Sequence, residues 1–178
     1  DATLELEFSQ SDERQVDGDG AVEVSLDTSG TVTDADLSNL TAGTVELNVF
    51  GGSTTTLGSE ANLGNADVTI SGTSTVLNTT AATIGDNASF TVESGNTLEL
   101  TGEQADGLTI NGEGAVTISD DATGADLSGL GVATIDFATD AVVDDTTTFP
   151  TLAGDPTDAT DNPDQRVTLT AVQAAGVT

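Results

Sequence analysis

The stretch Thr3-Leu4-Glu5-Leu6 recurs as Thr97-Leu98-Glu99-Leu100, 94 positions further along the chain. Over the 25 positions from 3 to 27, this shift aligns 12 identical residues, and Gly20-Ala21-Val22 falls on Gly114-Ala115-Val116. Leucine alternates with Thr or Glu in both copies, which is the period-two pattern of a strand with one buried face. Internal repetition of such strands favours a solenoid or a tandem array of β-sandwiches.

A third start of the same unit lies near the end of the chain. Leu100-Thr101, followed by Gln104-Ala105, recurs as Leu169-Thr170, followed by Gln173-Ala174. The chain begins without Met and ends inside a repeat, so we expect it to be a segment of a longer protein. The repeats divide it into a first unit at 1–95, a shortened second unit at 96–165 with an Asp-rich insertion at 155–164, and the start of a third unit at 166–178.

Short runs of Val, Ile, Leu and Thr, separated by Gly, Asn, Asp and Ser, fill the chain. Only Gln104-Ala105 and 171–175 suggest helix, each for about one turn. The pattern predicts an all-β protein, a right-handed parallel β-helix (β-solenoid) of short strands. Tandem β-sandwich domains are the alternative, because the first unit has about the size of an immunoglobulin-like sandwich. The solenoid is favoured because the second unit is shorter than the first, and a solenoid tolerates such shortening by dropping a turn.

Acidic residues dominate the charge of the chain. Lys and Arg total 2 against 31 Asp and Glu, which gives a formal net charge of −29. Such a surface repels phosphate backbones and anionic lipid headgroups, so we expect no nucleic-acid partner. Because the chain has no long apolar run, we expect no membrane insertion. Of the two basic residues, Arg14 is the better candidate for an ion pair between subunits.

The missing residue types limit the chemistry. His, Cys, Lys and Tyr are absent, which removes the usual general bases, covalent nucleophiles and soft metal ligands. We therefore expect no enzymatic activity. Carboxylate, hydroxyl, amide and carbonyl oxygens remain, and these are the ligands that calcium takes. The five phenylalanines are expected to fill the core: Phe8, Phe50, Phe90, Phe137 and Phe149.

Two segments resemble repetitive bacterial cell-surface proteins: Leu100 to Ile110 and Ala125 to Ser128. The Lys-free, Cys-free and Thr-rich composition around them is also similar to that of such proteins. S-layer proteins and large repeats-in-toxin-type adhesins are similar in style. The resemblance implies extracellular display on a bacterial cell surface, order that depends on calcium, and self-assembly into a sheet or fibre. The Gly-Gly-x-Gly-x-Asp nonapeptide of calcium rolls is missing, so the resemblance does not extend to calcium-roll geometry.

Ten aspartates at turn-like positions are the candidate calcium ligands. An oxygen site needs two to four carboxylates within reach of one ion, and these residues occur in pairs or at every third position. A solvated acidic linker is the alternative for the 155–164 insertion, and an ordinary turn between coils is the alternative for Asp17 and Asp19. The candidates are Asp155, Asp158, Asp161, Asp164, Asp17, Asp19, Asp120, Asp121, Asp144 and Asp145.

The sequence thus predicts a structural, self-assembling extracellular protein of a surface layer or fibre, whose partners are further copies of itself and divalent cations. Calcium at the Asp-rich turns would cancel the repulsion between copies. The alternatives are an adhesin stalk or binding module of a large secreted bacterial protein, and an acidic composition that only adapts the chain to high salt.

Overall fold

The structure is a computed structural model that describes residues 3–12, 14–27, 29–150, 166–169 and 173–174. Strands are its main regular secondary structure, and helix among the described residues is limited to a 3-10 turn at Phe8–Gln10, the short helix α1 (Gly102–Ala105), and residues 173 and 174. In chain order the strands are β1 (Thr3–Glu7), β2 (Val16–Asp17), β3 (Ala21–Leu26), β4 (Gly30–Val32), β5 (Leu40–Thr41), β6 (Thr44–Val49), β7 (Thr54–Leu57), β8 (Asp67–Ile70), β9 (Val76–Asn78), β10 (Ser89–Val92), β11 (Thr97–Leu100), β12 (Thr109–Asn111), β13 (Ala115–Ile118), β14 (Leu130–Gly131), β15 (Thr134–Phe137) and β16 (Arg166–Thr168).

The chain winds into a parallel β-solenoid of about six turns, which confirms the predicted fold class. The first sheet has the order β1-β3-β6-β8-β10-β12-β14, and the second has the order β4-β7-β9-β11-β13-β15-β16. A third side is closed by turns, by the pair β2-β5, and by isolated bridges such as Asp36 to Asn62. From β3 onward, each turn therefore passes through the first sheet, the second sheet and the third side before the next turn begins, whereas the first turn has the 3-10 turn in place of a second-sheet strand.

Stacked apolar side chains fill the interior. In β3 and in most longer strands, buried residues alternate with partly exposed ones, as the period of two requires. Because the strands are parallel and in register, equivalent residues of successive turns lie beside one another, about 4.8 Å apart. One column crosses the whole first sheet with an apolar residue at every step: Leu6, Val24, Leu47, Val68, Phe90, Ile110 and Leu130.

Four of the five phenylalanines pack in the core or against it, as predicted. Phe8, Phe90 and Phe137 are buried, and Phe149 contacts Phe137 edge to face at 6.0 Å between ring centroids. The prediction is wrong for Phe50, which is 40% exposed. It follows the last residue of β6 at the corner after the strand, and its predecessor Val49 takes the inward position there.

The long sequence repeat keeps its strand register in three dimensions. Thr3 pairs with Ala21 in the first copy, and the equivalent Thr97 pairs with Ala115 in the second. Both copies continue from the strand into a short helix that ends near an equivalent glutamine, Gln10 or Gln104. The repeated sequence therefore encodes a repeated local structure.

The second copy nevertheless lies on a different side of the solenoid. Strand β1 begins the first copy in the first sheet, whereas its equivalent β11 lies in the second sheet. Strand β2 lies on the third side, whereas its equivalent β12 lies in the first sheet. The repeat thus spans four full turns, from β1 to β10, plus one further face, from β10 to β11. The second copy is therefore rotated by one face about the solenoid axis relative to the first, whereas the start of the third unit, at β16, lies in the second sheet as β11 does.

Candidate functional site

The predicted calcium ligands fall into three groups in the structure. Asp155, Asp158, Asp161 and Asp164 lie outside the described residues. Asp17 is the last residue of β2, where its carboxylate accepts a hydrogen bond from the Thr41 hydroxyl of β5, and Asp19 follows two residues later. The remaining residues, Asp120, Asp121, Asp144 and Asp145, lie on two successive turns of the solenoid.

Asp121 and Asp144 close the turns in which they occur. The Asp121 carboxylate accepts a hydrogen bond from the backbone N–H of Thr123 at 2.9 Å. The Asp144 carboxylate accepts from the backbone N–H of Thr146 at 2.9 Å and from its hydroxyl at 2.6 Å. These bonds span two residues, which is the geometry of an Asx turn.

Hydrogen bonds lower the pKa of both carboxyl groups, and a neighbouring charge opposes them at Asp121. The bonds from Thr123 hold the pKa of Asp121 below its usual range, and the bonds from Thr146 do the same for the pKa of Asp144. Asp144 lies on the next turn of the solenoid, and its negative charge raises the pKa of Asp121 by a smaller amount. The two carboxylates therefore repel each other weakly, but each is stabilised by hydrogen bonds within its own Asx turn.

The same turn recurs along the third side of the solenoid. Asp36 accepts from the backbone N–H of Ser38 at 2.8 Å, and Asp126 accepts from that of Ser128 at 3.0 Å. Hydrogen bonding from Ser128 also lowers the pKa of Asp126. Asn62 occupies this position one turn away and binds the N–H of Gly64 at 2.9 Å with its side-chain oxygen. Since an amide replaces the carboxylate here, the position requires an oxygen acceptor rather than a charge.

The side chain of Asp120 links its own solenoid turn to the preceding solenoid turn. Its carboxylate accepts from the backbone N–H of Gly102 at 2.7 Å, at the start of α1. A Cβ atom at Gly102 would collide with the carbonyl oxygen of Asp121, so only glycine allows this close approach. A shallow groove of about 410 Å³ lies at this junction, and its walls include the carboxylates of Glu103, Asp106, Asp120 and Asp121. Within the described residues, no three acidic groups come close enough to one another to hold a metal ion.

A ladder of carboxylates, which was not predicted, runs along the outer face of the first sheet. Glu5 pairs with Glu23, Glu23 pairs with Glu46, and Glu46 pairs with Asp67. We call these four residues the carboxylate ladder. It ends at Ser89, whose hydroxyl donates to the Asp67 carboxylate at 2.5 Å.

The carboxylate ladder concentrates like charges on one face. Adjacent members share the strand spacing of about 4.8 Å, and like charges directly opposite each other destabilise a sheet. A cation between two adjacent members would offset that repulsion, and carboxylate pairs are common ligands of calcium.

The signal for the ladder was present in the sequence. Each of the first four strands of the sheet has an acidic residue at the same outward position, within TLELE, VEVSL, VELNV and DVTI. The sequence interval between successive members differs at every step, so no constant period aligns them. Alignment strand by strand, rather than by the long repeat, would have revealed the ladder.

Comparisons with known proteins returned no matching family model, curated protein or solved structure. Among the described residues, no helix has the length and apolar character that a membrane crossing requires.

Proposed function

We propose that this chain is a structural, self-assembling segment of an extracellular bacterial surface layer or fibre, in which divalent cations, calcium first, neutralise acidic faces. The observation that carries the proposal is the continuous stacking of parallel strands from β1 to β14 and from β4 to β16. Such a stack forms a stiff, quasi-one-dimensional rod, the kind of element from which fibres and layers are built.

Charge sets the condition for assembly. A net charge of −29 makes copies repel one another, and the carboxylate ladder brings part of that charge to one sheet face. Divalent ions bound between carboxylates of one copy or of two copies would replace repulsion by attraction. We infer no enzymatic activity, because the chain lacks His, Cys, Lys and Tyr.

The experiment compares the chain in calcium, in excess chelator, and in NaCl at matched ionic strength. We expect light scattering and negative-stain electron microscopy to show ordered fibres or sheets in calcium and their dissolution by chelator. We expect the melting temperature to fall on chelation, because ions that bind only the folded chain stabilise it. NaCl should not substitute, since simple screening does not bridge carboxylates.

Two other outcomes would replace the proposal. A chain that stays monomeric and extended at every calcium concentration would favour an adhesin stalk. Restoration of folding by molar KCl or NaCl as well as by calcium would mean that the acidity is an adaptation to salt.

A further inference from the structure

The dipeptide Asn111-Gly112 lies where β12 ends and the chain turns toward β13. Asn111 is exposed, and its side-chain amide forms no hydrogen bond with another described residue. Its strand partners are Thr91 on β10 and Gly131 on β14, and Gly131 has no side chain that could hold the amide. The Asn111 side chain is therefore free to turn toward its own main chain.

The backbone nitrogen of Gly112 is also free. Gly112 has a φ of 121°, in the left-handed region, and a Cβ atom there would collide with the carbonyl oxygen of Val92. The position therefore requires glycine. No described residue accepts a hydrogen bond from the Gly112 N–H. The nitrogen thus has no side chain beside it and no hydrogen bond that must break before it reacts.

Other asparagines of the described chain lack this arrangement. Asn87 is the best match in exposure, but the N–H of the following Ala88 donates to the carbonyl oxygen of Gly85 at 3.0 Å. The further residues that follow a described asparagine have an N–H that donates to a carbonyl oxygen or lies inside a strand paired on both sides: Leu40, Val49, Leu63, Ala66, Thr79 and Thr97. In the described chain, Gly112 alone combines a preceding asparagine with an unbonded N–H.

The sequence repeat shows that a carboxylate fits this position. The shift of 94 residues places Asp17 on Asn111 and Gly18 on Gly112, and Gly18 also has a positive φ, of 144°. Asp17 ends its own strand, β2, as Asn111 ends β12. The first copy therefore already carries the side chain that hydrolysis of the Asn111 amide would produce.

We propose that Asn111 is a site of spontaneous deamidation, in which the backbone nitrogen of Gly112 attacks Cγ of Asn111. The nitrogen loses its proton to water and bonds to Cγ, the Cγ–Nδ2 bond breaks, and Nδ2 leaves as ammonia. Water then opens the five-membered succinimide ring. Opening at Cγ gives Asp, and opening at the main-chain carbonyl carbon gives isoaspartate. The sum is one amide and one water converted to one carboxylate and ammonia, so the reaction needs no cofactor or oxidant.

The modification would extend negative charge into an uncharged part of the first sheet. The outward column that contains Asn111 has no charged residue over six successive strands: Ser25, Asn48, Thr69, Thr91, Asn111 and Gly131. Either product places a carboxylate in this column. Isoaspartate also adds a carbon to the main chain at the end of β12. The reaction requires only the folded chain, so the inference does not depend on the proposed function.

The test follows the full 178-residue chain during incubation in its folded state at mildly alkaline pH. A protease that cleaves after Glu releases the fragment 104–113, in which Asn111 is the only asparagine, and mass spectrometry measures its conversion. We expect Asn111 to deamidate about tenfold faster than Asn87 or more, because its attacking nitrogen is adjacent and unbonded. Isomerisation of Asp106 in the same fragment leaves the mass unchanged and does not interfere.

A parallel incubation of the urea-unfolded chain separates the effect of the fold from that of the sequence. The folded and unfolded rates at Asn111 should agree within about tenfold, whereas folding should slow Asn87 more, since its Ala88 hydrogen bond must break first.

Two variants of the same residue are the controls. Asn111→Gln keeps the amide but would need a six-membered ring, so the fragment should keep its mass. Asn111→Asp should have the melting temperature of wild type, because the first copy has Asp17 at the equivalent position.

Four results would overturn the inference. Conversion of Asn111 in the unfolded chain alone would show that the fold protects it, and equal folded rates at Asn111 and Asn87 would show that the free nitrogen has no effect. A mass gain that persists in Asn111→Gln would place the reaction at another residue of the fragment. A lower melting temperature for Asn111→Asp would contradict the tolerance that Asp17 indicates.

Discussion

The side-chain Nε2 of Gln104 donates a 2.7 Å hydrogen bond to the backbone carbonyl oxygen of Thr79, one solenoid turn earlier. The same nitrogen also donates to Ala82, and the oxygen of the same amide caps the first turn of α1 through the N–H of Thr101. One side chain thus links a helix start to the preceding turn. These hydrogen bonds give a structural reason for the recurrence of glutamine at this position of the sequence repeat.

Replacement of Gln104 by Ala should destabilise the fold by about 1–3 kcal/mol, because it removes the donor to the Ala82 carbonyl oxygen and leaves the Thr79 carbonyl oxygen with the N–H of Ala82 alone. The change is measured as the free energy of unfolding in urea. Gln15→Ala is the matched control, since Gln15 is exposed, and it should stay within about 0.5 kcal/mol of wild type. A Gln104→Ala variant as stable as this control would show that the amide bridge contributes little.

Phe90→Ala should cost about 3–5 kcal/mol, because Phe90 is 1% exposed and lies in the apolar column of the first sheet. Phe50→Ala removes the same side chain from an exposed corner, and we expect a loss below about 1 kcal/mol. Urea unfolding of the two variants gives the comparison. Similar losses at the two sites would contradict the position of Phe50.

Stability should fall as the pH is lowered below about 4, the ordinary range for Asp. The folded chain holds the pKa of Asp121, Asp126 and Asp144 below that range through turn hydrogen bonds, so the unfolded chain takes up protons at a higher pH. The stabilisation is complete above the unfolded pKa and is lost as the pH falls through the folded values.

The measurement for this pH dependence is the free energy of unfolding at neutral pH and at a pH below the ordinary pKa of Asp. A triple Asp-to-Asn variant at these positions retains an oxygen acceptor for each turn and should lose less stability between the two pH values than wild type. Asp126→Ala, which has no acceptor, should be less stable already at neutral pH. An unchanged pH slope in the triple variant would mean that other groups control acid unfolding.

Glu23→Gln should stabilise the chain by about 0.2–1 kcal/mol at low ionic strength, because Glu23 has a ladder neighbour on both sides. The gain should shrink as NaCl screens the repulsion. Glu60→Gln removes an exposed charge outside the ladder and serves as the control. Thermal melts of both variants across a salt series are the check; equal gains for the two would mean that only net charge matters.

Much of the local structure could be predicted from the sequence. The alternation in Thr97–Leu100 indicated a strand, and the Gln104-Ala105 hint matches the short helix α1. The Asp-rich turns were found as well, but the oxygen chemistry alone did not reveal that Asp121 and Asp144 cap their own turns. The calcium assignment stays a prediction, and its strongest loop, 155–164, lies outside the described residues.

Strands and turns could be predicted from sequence, because they depend on side chains within a few residues of one another. The tertiary structure alone decided on which face each element lies. The turn from Thr3 to Ala21 has fewer residues than the turn from Ala21 to Thr44. Because turns differ in length, a fixed interval in the sequence does not return the chain to the same side of the solenoid. The second repeat copy therefore occupies a different face from the first, and carboxylates far apart in sequence align in one ladder. The side of the solenoid on which a residue lies depends on the lengths of all preceding turns, so it cannot be predicted from a local sequence pattern.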